Sequence, residues 1–283
     1  MALSPSSSVQ RARQELADRL RDIRLDARLT ARALSAAAGW HEAKTSRIES
    51  AKQAPSEDDI RIWCDACKAS GQVIDLIAAS RAADSAYTEW RRVNRTGLRH
   101  VQEARRPLYE RTGAFKFYCS TVMPGIVQTP GYASALMTAI TKFRDTPNDV
   151  EDAVTARMNR NRILGSANRR FAILLEEPVL RYGIGDSEVM TAQLGHLLSI
   201  TAMPNVKFGV IPFKAMQRPM WTLEAFTIFD DARVHVELLS AQVTVTVPGE
   251  VIVYLRAFDQ LSELAVYGSE ARSLVSRAIS EFS

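Results

Sequence analysis

Residues 30–50, TARALSAAAGWHEAKTSRIES, decide how the first part of the chain folds, because they predict two short helices joined by a tight turn. Thr30 is a suitable N-cap for a helix over residues 30–38, whose alanines offer a small surface for close packing. Gly39 accepts the positive φ that such a turn requires. A further helix over residues 41–50 divides, at about 100° per residue, into a packing side and an outward side.

The sequence around this stretch predicts three more helices. Apolar residues recur at steps of three and four between residues 9 and 27, as in an amphipathic helix. Ser56 and Asp59 have the spacing of a capping box at the start of a fourth helix, and Ser70 opens a fifth. Five short helices in roughly 70 residues, with a glycine turn before the third, indicate a helix-turn-helix domain over residues 11–79.

Several positions in this domain carry a family pattern, namely Leu34, Gly39, Thr45-Ser46-Arg47-Ile48-Glu49 and Pro55-Ser56. They resemble the lambda-repressor-like, xenobiotic-response-element family of bacterial DNA-binding domains. The resemblance implies that Arg24 and Glu49 form a structural salt bridge between the first and third helices. The family usually has glycine where this chain has Ala51. Since alanine is unfavourable at positive φ, we expect the turn after Glu49 to be shaped differently or to be strained.

The outward side of the third helix is the candidate surface for reading DNA, because an α-helix fits the major groove of B-DNA. Base contacts are predicted for Glu42, Ala43, Ser46 and Arg47, and Arg47 can donate two hydrogen bonds to one guanine. Phosphate contacts, which set register and salt-dependent affinity, are predicted for Arg28, Thr30, Arg32, Lys44, Lys52 and Gln53. The alternative is an ordinary helical bundle with a charged surface.

Composition and charge fit a globular protein of about two domains. The 283 residues are 46% hydrophobic, and no apolar run is long enough for a membrane helix or the centre of a signal peptide. The net charge is +1 over residues 1–80 (12 cations against 11 anions), +4 over 81–112 (8 against 4) and −1 over 113–283 (16 against 17). The basic excess permits a nucleic-acid partner, although a solvated arginine-rich helix also explains it. We expect a cytoplasmic, nucleoid-associated protein.

The rest of the chain predicts a larger α+β domain over residues 113–283, with a mixed sheet and flanking helices. Strands are predicted over 171–175, 206–211, 223–229, 234–239 and 243–247, and helices over 189–203, 251–266 and 269–282. Residues 1–10 are predicted to be a disordered tail, and residues 80–112 a basic helical linker with breaks at 94–97 and Pro107. The overall fold class is therefore α+β, with an all-α domain of five helices at the N-terminus.

A second resemblance concerns residues 110–280 and is carried by Pro124-Gly125-Ile126-Val127-Gln128-Thr129, Tyr132-Ala133, Arg157, Arg160, Glu177-Pro178-Val179-Leu180-Arg181 and Gln193-Leu194. They resemble the large domain found behind such helix-turn-helix units in bacterial regulators, formerly of unknown function and now described as antitoxin-like. The resemblance implies transcription regulation in partnership with a small protein, often encoded nearby. Asn161 stands where that family commonly has glutamine.

A ligand or partner groove is predicted between the turn at 124–129, one arginine-rich helix and the sheet. Its candidate residues are Gln128, Arg157, Arg160, His235 and Glu237. The arginines have no obvious acidic partners in the sequence, and His235 and Glu237 share one face of a strand. An ordinary polar sheet face also explains the last two, and the Pro-Gly turn also serves to fix the chain direction.

Enzymatic signatures are missing from the sequence, which has no Gly-x-Ser-x-Gly elbow, no phosphate-binding glycine loop and no His-Glu-x-x-His. The adjacent Glu176 and Glu177 point opposite ways on a strand, whereas an acid/base pair must converge. Cys64 and Cys67 are spaced for one helix face, and no second Cys or His cluster completes a metal site. We therefore expect that the protein is not an enzyme and binds no cofactor or metal. The two cysteines are expected to pack in a core.

Two functions follow from these observations. The first is a sequence-specific transcriptional regulator that binds double-stranded DNA as a homodimer, with the C-terminal domain sensing a ligand or a small protein. The alternative is an antitoxin-type interaction protein whose C-terminal domain binds a small partner and whose DNA binding is autoregulatory. Both share the same DNA-binding end.

Overall fold

The computed structural model describes residues 5–216 and 218–282, with the backbone alone for 5–11, 81–89, 91 and 92. The chain forms two compact units, Met1–Thr88 and Glu89–Ser283. The first unit is helical and the second combines helices with a mixed sheet, which confirms the predicted α+β class. Among the described residues, no helix is both long and apolar enough to cross a membrane.

The first unit consists of the five predicted helices: α1 Pro5–Asp26, α2 Ala31–Ala38, α3 Glu42–Glu49, α4 Glu57–Ala66 and α5 Val73–Ala86, with a 3-10 turn at Ser70–Gln72. Residues 5–10, which we predicted to be disordered, are the first turns of α1 instead. Proline is compatible with a first helical turn, and the serines that follow do not break a helix. Residues 1–4 of the predicted tail lie outside the described residues.

Apolar side chains from all five helices form the core of this unit. Leu20, Leu34, Ile48, Ile60 and Trp63 are each at most 1% exposed. The predicted capping box begins α4, since the Ser56 side chain accepts from the Asp59 N–H and the Asp59 side chain accepts from the Ser56 N–H. Cys64 and Cys67 are free thiols in the core, as predicted, and burial raises the pKa of Cys67 to about 11.

The second unit contains the remaining helices, α6 Trp90–Val93, α7 Leu98–Arg111, α8 Pro130–Arg144, α9 Val150–Asn161, α10 Ser187–Ile200, α11 Pro248–Leu264 and α12 Gly268–Phe282. A short strand, β1 Tyr87–Glu89, spans the boundary between the units, and the others are β2 Ala114–Cys119, β3 Arg170–Glu176, β4 Val206–Ile211, β5 Phe226–Phe229, β6 Arg233–Glu237, β7 Ala241–Val245 and β8 Val266–Tyr267. Short 3-10 turns lie at Asn94–Thr96, Gly125–Val127, Arg162–Gly165 and Glu177–Leu180.

The sheet of the second unit has the strand order β7-β6-β5-β2-β3-β4-β8. The pairs β2/β3 and β3/β4 are parallel, whereas β2/β5, β4/β8, β5/β6 and β6/β7 are antiparallel. Strand β2 lies in the middle of the sheet and was absent from our prediction. Burial alternates only over its first four residues and is continuous over Phe117–Cys119, so the alternation by which a strand is recognised is short.

Helix α7 falls within the predicted linker, residues 80–112, and packs as part of the second unit. The Asp149 carboxylate accepts hydrogen bonds from the N–H groups of Leu98 and Arg99 at 2.7 and 2.8 Å. Gly97 makes this approach possible, because a Cβ there would lie 2.2 Å from Asp149 Oδ2. The predicted break at Pro107 is wrong, because α7 continues through this residue. Proline has no N–H to donate to the Glu103 carbonyl, but both residues are exposed, so water can bind that carbonyl instead.

Candidate nucleic-acid interface and ligand cavity

Helix α3 has one buried and one exposed side. Thr45 and Ile48 are at most 1% exposed and pack into the core. All four residues of the predicted base-reading set, Glu42, Ala43, Ser46 and Arg47, are exposed on the other side. The side chains of this set are small or flexible, and the cation Arg47 stands at one end.

A buried polar cluster fixes the angle between α2 and α3. Thr45 Oγ1 lies 2.6 Å from Ser35 Oγ and accepts a hydrogen bond from Trp40 Nε1 at 2.9 Å. Gly39, between the helices, has a φ of 72°, which is the left-handed conformation predicted for it. The cluster therefore joins α2, the turn and α3 into one rigid element.

Arg24 on α1 and Glu49 at the end of α3 form a bidentate ion pair. Arg24 Nε and Nη2 donate to the two carboxylate oxygens at 2.5 and 2.9 Å, and Nη1 donates to the Leu29 carbonyl at 2.7 Å. The two side chains are only 9% and 13% exposed. The hydrogen bond to Glu49 raises the pKa of Arg24 above its ordinary value despite burial. Glu49 therefore faces the interior of the unit and not the exposed side of α3.

The turn after α3 keeps the left-handed conformation without glycine, because Ala51 has a φ of 52°. The N–H of Ala51 donates to the Ile48 carbonyl, and that of Lys52 donates to the Arg47 carbonyl at 2.9 Å. These two bonds form a Schellman motif, which ends the helix. The turn therefore has the left-handed shape that glycine would give it, and it carries the strain of a Cβ at positive φ.

Replacing Ala51 with glycine is expected to raise the free energy of unfolding of the first unit by about 1 kcal/mol. Glycine removes the Cβ strain at this φ, and the hydrogen bonds of the turn need no side chain. Ala54→Gly is the matched control, since Ala54 is not among the residues with positive φ and should lose stability. Urea unfolding measures both variants, and an Ala51→Gly variant no more stable than the original chain contradicts the assigned strain.

The predicted phosphate-binding residues fall into two groups, those with exposed side chains and those paired within the first unit. Arg28, Arg32 and Lys52 are exposed. Thr30 is also exposed, with its hydroxyl accepting from the Ala33 N–H as the N-cap of α2. These four residues flank the exposed side of α3 in the sequence, where phosphate contacts would set the register of the helix on a duplex.

Lys44 and Gln53, the other two predicted phosphate contacts, have partners inside the first unit. Lys44 Nζ lies 2.6 Å from Asp59 Oδ1 and 4.5 Å from the centre of the Trp40 ring. Gln53 Oε1 accepts from Arg47 Nε at 2.9 Å. Lys44 thus links α3 to α4 through its ion pair with Asp59. Gln53 holds the side chain of Arg47, the main candidate for reading a base.

In the second unit, one cavity of about 290 Å³ is lined by all five residues of the predicted ligand set: Gln128, Arg157, Arg160, His235 and Glu237. The turn at 124–125, helix α9 and the sheet meet there, as the sequence led us to expect. Sequence reasoning missed Arg105 and Tyr109, which also line the cavity, because we read their helix as a linker. It also missed Phe117, which lies on the unrecognised strand β2.

The electrostatics of this cavity are dominated by cations. Arg105 Nη2 donates to Glu237 Oε1 at 2.8 Å; the Glu237 side chain is 55% exposed, whereas that of Arg105 is only 19% exposed. Burial, followed by the nearby Arg105 and Arg233, lowers the pKa of His235 to about 3, which leaves it neutral at pH 7. The most deeply buried cations that line the cavity are Arg157 and Arg160.

The adjacent Glu176 and Glu177 take part in ion pairs with arginines. The Glu176 carboxylate binds Arg218 at 2.5 Å and accepts from the Tyr118 hydroxyl, whereas Glu177 pairs with Arg181 at 2.9 Å. The two carboxylates thus belong to separate ion pairs. In the part of the chain that the structure describes, no group of three or more His, Cys, Asp or Glu residues could hold a metal ion.

Comparison with known proteins gives two family matches. Residues 114–277 match the family described as Domain of unknown function (DUF5753), and residues 15–77 match one described as Helix-turn-helix domain. No curated protein matches the chain. A solved structure of TrmBL2, an archaeal chromatin protein reported to show a novel mode of DNA binding, aligns at 12% identity with a TM-score of 0.33, covering 85% of this chain and 88% of that chain.

Proposed function

We propose that this chain, which belongs to the DUF5753 family through residues 114–277, is a sequence-specific transcriptional regulator that binds double-stranded DNA through α3. Its N-terminal unit is a helix-turn-helix domain, which supports DNA binding. We also assign that unit to the lambda-repressor-like type. The Arg24–Glu49 pair and the left-handed turn at Ala51 agree with the expectations that this resemblance raised.

One observation carries the proposal: the exposed side of α3 presents Glu42, Ala43, Ser46 and Arg47 while the opposite side is locked into the core. Discrimination between base pairs needs donors and acceptors at fixed positions, and a helix held by buried contacts provides them. A single module of this size covers little DNA, so we propose a homodimer that reads two half-sites about one helical turn apart.

Salt dependence tests the DNA contact directly. With Arg28, Arg32 and Lys52 each neutralising one phosphate, log affinity for a duplex should fall against log salt with a slope of about −3 per protomer. Changing all three residues to glutamine should remove most of that slope. The matched control changes the exposed Lys142, Lys214 and Arg277 of the second unit to glutamine and removes the same charge.

The full chain and both triple variants are titrated with a labelled duplex at several salt concentrations. A slope near zero for the unmodified chain contradicts DNA binding through phosphates. An equal loss of slope in both triple variants contradicts the assignment to the first unit, because it would show that only total charge matters.

An antitoxin-type interaction protein is the second candidate. The observation that favours it is a run of large apolar side chains on the surface of the second unit: Phe213, Met216 and Trp221 are 75%, 82% and 69% exposed. Such residues are enriched in protein interfaces. Co-expression with the small protein encoded beside this chain distinguishes the two functions. Stable co-purification together with binding confined to one operator favours the antitoxin type, whereas an unpartnered chain that binds many promoters favours the regulator.

A further inference from the structure

The cavity of the second unit has one apolar side and one cationic side. Its apolar lining includes Phe117, Phe226, Val122, Met123, Leu136 and Ile140. The cationic side is formed by Arg157 and Arg160, which are one turn apart on α9 and are only 8% and 4% exposed. A cavity of about 290 Å³ lies at the small end of the range for ligand pockets, which favours a compact ligand.

The two buried guanidiniums have only neutral partners. Arg157 donates from Nε to Gln102 Oε1 at 3.1 Å and from Nη1 to Gln128 Oε1. Arg160 donates from Nη1 to the same Gln102 oxygen at 3.2 Å. Within the described residues, no carboxylate lies within 4.0 Å of either group, and the buried Nε of Arg160 has no hydrogen-bond partner.

Arg24 is the contrasting case, a buried arginine whose partner is a carboxylate. Glu49 raises the pKa of Arg24, whereas burial and then the neighbouring Arg160 and Arg105 lower the pKa of Arg157 to about 9. Burial also lowers the pKa of Arg160. Glu237, which is paired with Arg105, opposes these shifts only in part, so neither group has a carboxylate partner of its own to compensate its burial.

Contacts within the protein do not offset this cost. The Arg160 guanidinium lies 4.5 Å from the centre of the Tyr109 ring, a cation–π contact that offsets only part of the cost of burying a cation. Three arginines and one glutamate line the cavity, which leaves a formal charge of +2. An anion that enters would supply the missing partner in a site where water screens it little.

We propose that this cavity binds a small carboxylate with an apolar body, the carboxylate on Arg157 and Arg160 and the body against Phe117 and Phe226. The proposal rests on the proposed function, a transcriptional regulator, and adds to it that the second unit senses a ligand of this chemical class. A planar carboxylate matches the guanidinium fork. The apolar lining favours an aromatic or branched aliphatic body over a bare inorganic anion.

Gly125 leaves the space in front of the two guanidiniums open. A Cβ at this position would lie 3.5 Å from Arg160 Nη2 and 3.6 Å from Arg157 Cζ, which is ordinary contact. The Gly125 carbonyl accepts from Asn161 Nδ2 at 2.6 Å, which ties the turn to α9. Alanine is therefore tolerated here, whereas the longer side chain of leucine would occupy the carboxylate position.

The test is thermal unfolding of the full chain with 10 mM sodium benzoate, benzyl alcohol or sodium phosphate at matched ionic strength. Benzyl alcohol has the ring without the charge, and phosphate has the charge without the ring. We expect benzoate to raise the melting temperature of the second unit by about 3 °C or more, as a dissociation constant below about 1 mM requires. The other two compounds should give less than half of that shift.

Three variants localise the effect. Arg160→Met should lose the benzoate shift and, without ligand, melt no lower than the original chain, because Arg157 Nε still satisfies Gln102 Oε1. Gly125→Leu should also lose the shift with both arginines in place, while Gly125→Ala keeps it. If Arg160→Met does not fold, the Gly125 pair decides the result.

Four results would overturn the proposal: no shift with benzoate, an equal shift with benzyl alcohol, an equal shift with phosphate, or a full shift in Gly125→Leu. Duplex binding is measured on the same samples. Loss of the benzoate effect with intact duplex binding counts against the cavity alone, and a benzoate shift without duplex binding counts against the proposed regulator alone.

Discussion

Glu49→Gln is expected to lower the free energy of unfolding of the first unit by about 3 kcal/mol, the scale for breaking a buried ion pair. The substitution keeps the size of the side chain but removes the charge that compensates Arg24. The guanidinium then remains buried with only neutral acceptors, the Leu29 carbonyl and the amide oxygen of the new side chain. Since Glu49 does not lie on the exposed side of α3, the loss comes from α1 and α3 separating and not from a lost DNA contact.

Hydrogen exchange resolved by segment is the appropriate measurement, because it reports the first unit separately from the second. Glu103→Gln is the matched control: it breaks the Arg99–Glu103 pair, whose side chains are 55% and 50% exposed, and should cost at most about 0.5 kcal/mol. Equal effects of the two substitutions would show that the Arg24–Glu49 pair is no more important than a surface pair.

Arg47→Ala is expected to remove discrimination at one guanine of each half-site, worth about 1–3 kcal/mol or roughly 5- to 150-fold in relative affinity. Arg47 Nε is held by Gln53 Oε1, and its two terminal amino groups make no hydrogen bond to the described residues. Those groups are the fork that can donate to guanine O6 and N7. The preference for that guanine should therefore disappear while preferences elsewhere in the half-site persist.

Arg47→Lys is the control for this prediction, because lysine keeps the charge but lacks the planar fork. We expect it to lose most of the guanine preference as well, while keeping more of the overall affinity than alanine does. Uniform weakening across all sequences, with the preference unchanged, would make Arg47 a phosphate contact instead of a base-reading residue.

The helix-turn-helix unit could be predicted well because its signals are local. Gly39 marks the turn, Ser56 and Asp59 mark the start of α4, and the three-and-four spacing of apolar residues marks the packing side of each helix. Even Ala51 could be flagged, since a positive φ penalises any residue with a Cβ. The partner of Lys44 could not be predicted, because Asp59 reaches it only through the packing of α3 against α4.

The cavity of the second unit depends on contacts between distant parts of the chain. Arg157 and Arg160 stood out in the sequence as cations without local acidic partners. Gln102, the residue that binds both, gave no local signal, because nothing near it in sequence indicates that its amide faces α9. Arg105 was one of several arginines in an apparent linker, and only the fold shows that it lines the cavity.

Selection of bound fragments from a random duplex library by the full chain tests the central claim most directly. We predict enrichment of one short sequence in two copies, with centres about 10 base pairs apart, and loss of one guanine from each copy when Arg47→Ala is selected in parallel. A folded chain that enriches no sequence above the input, or an Arg47→Ala variant that enriches the same sequence unchanged, would contradict DNA reading by the exposed side of α3.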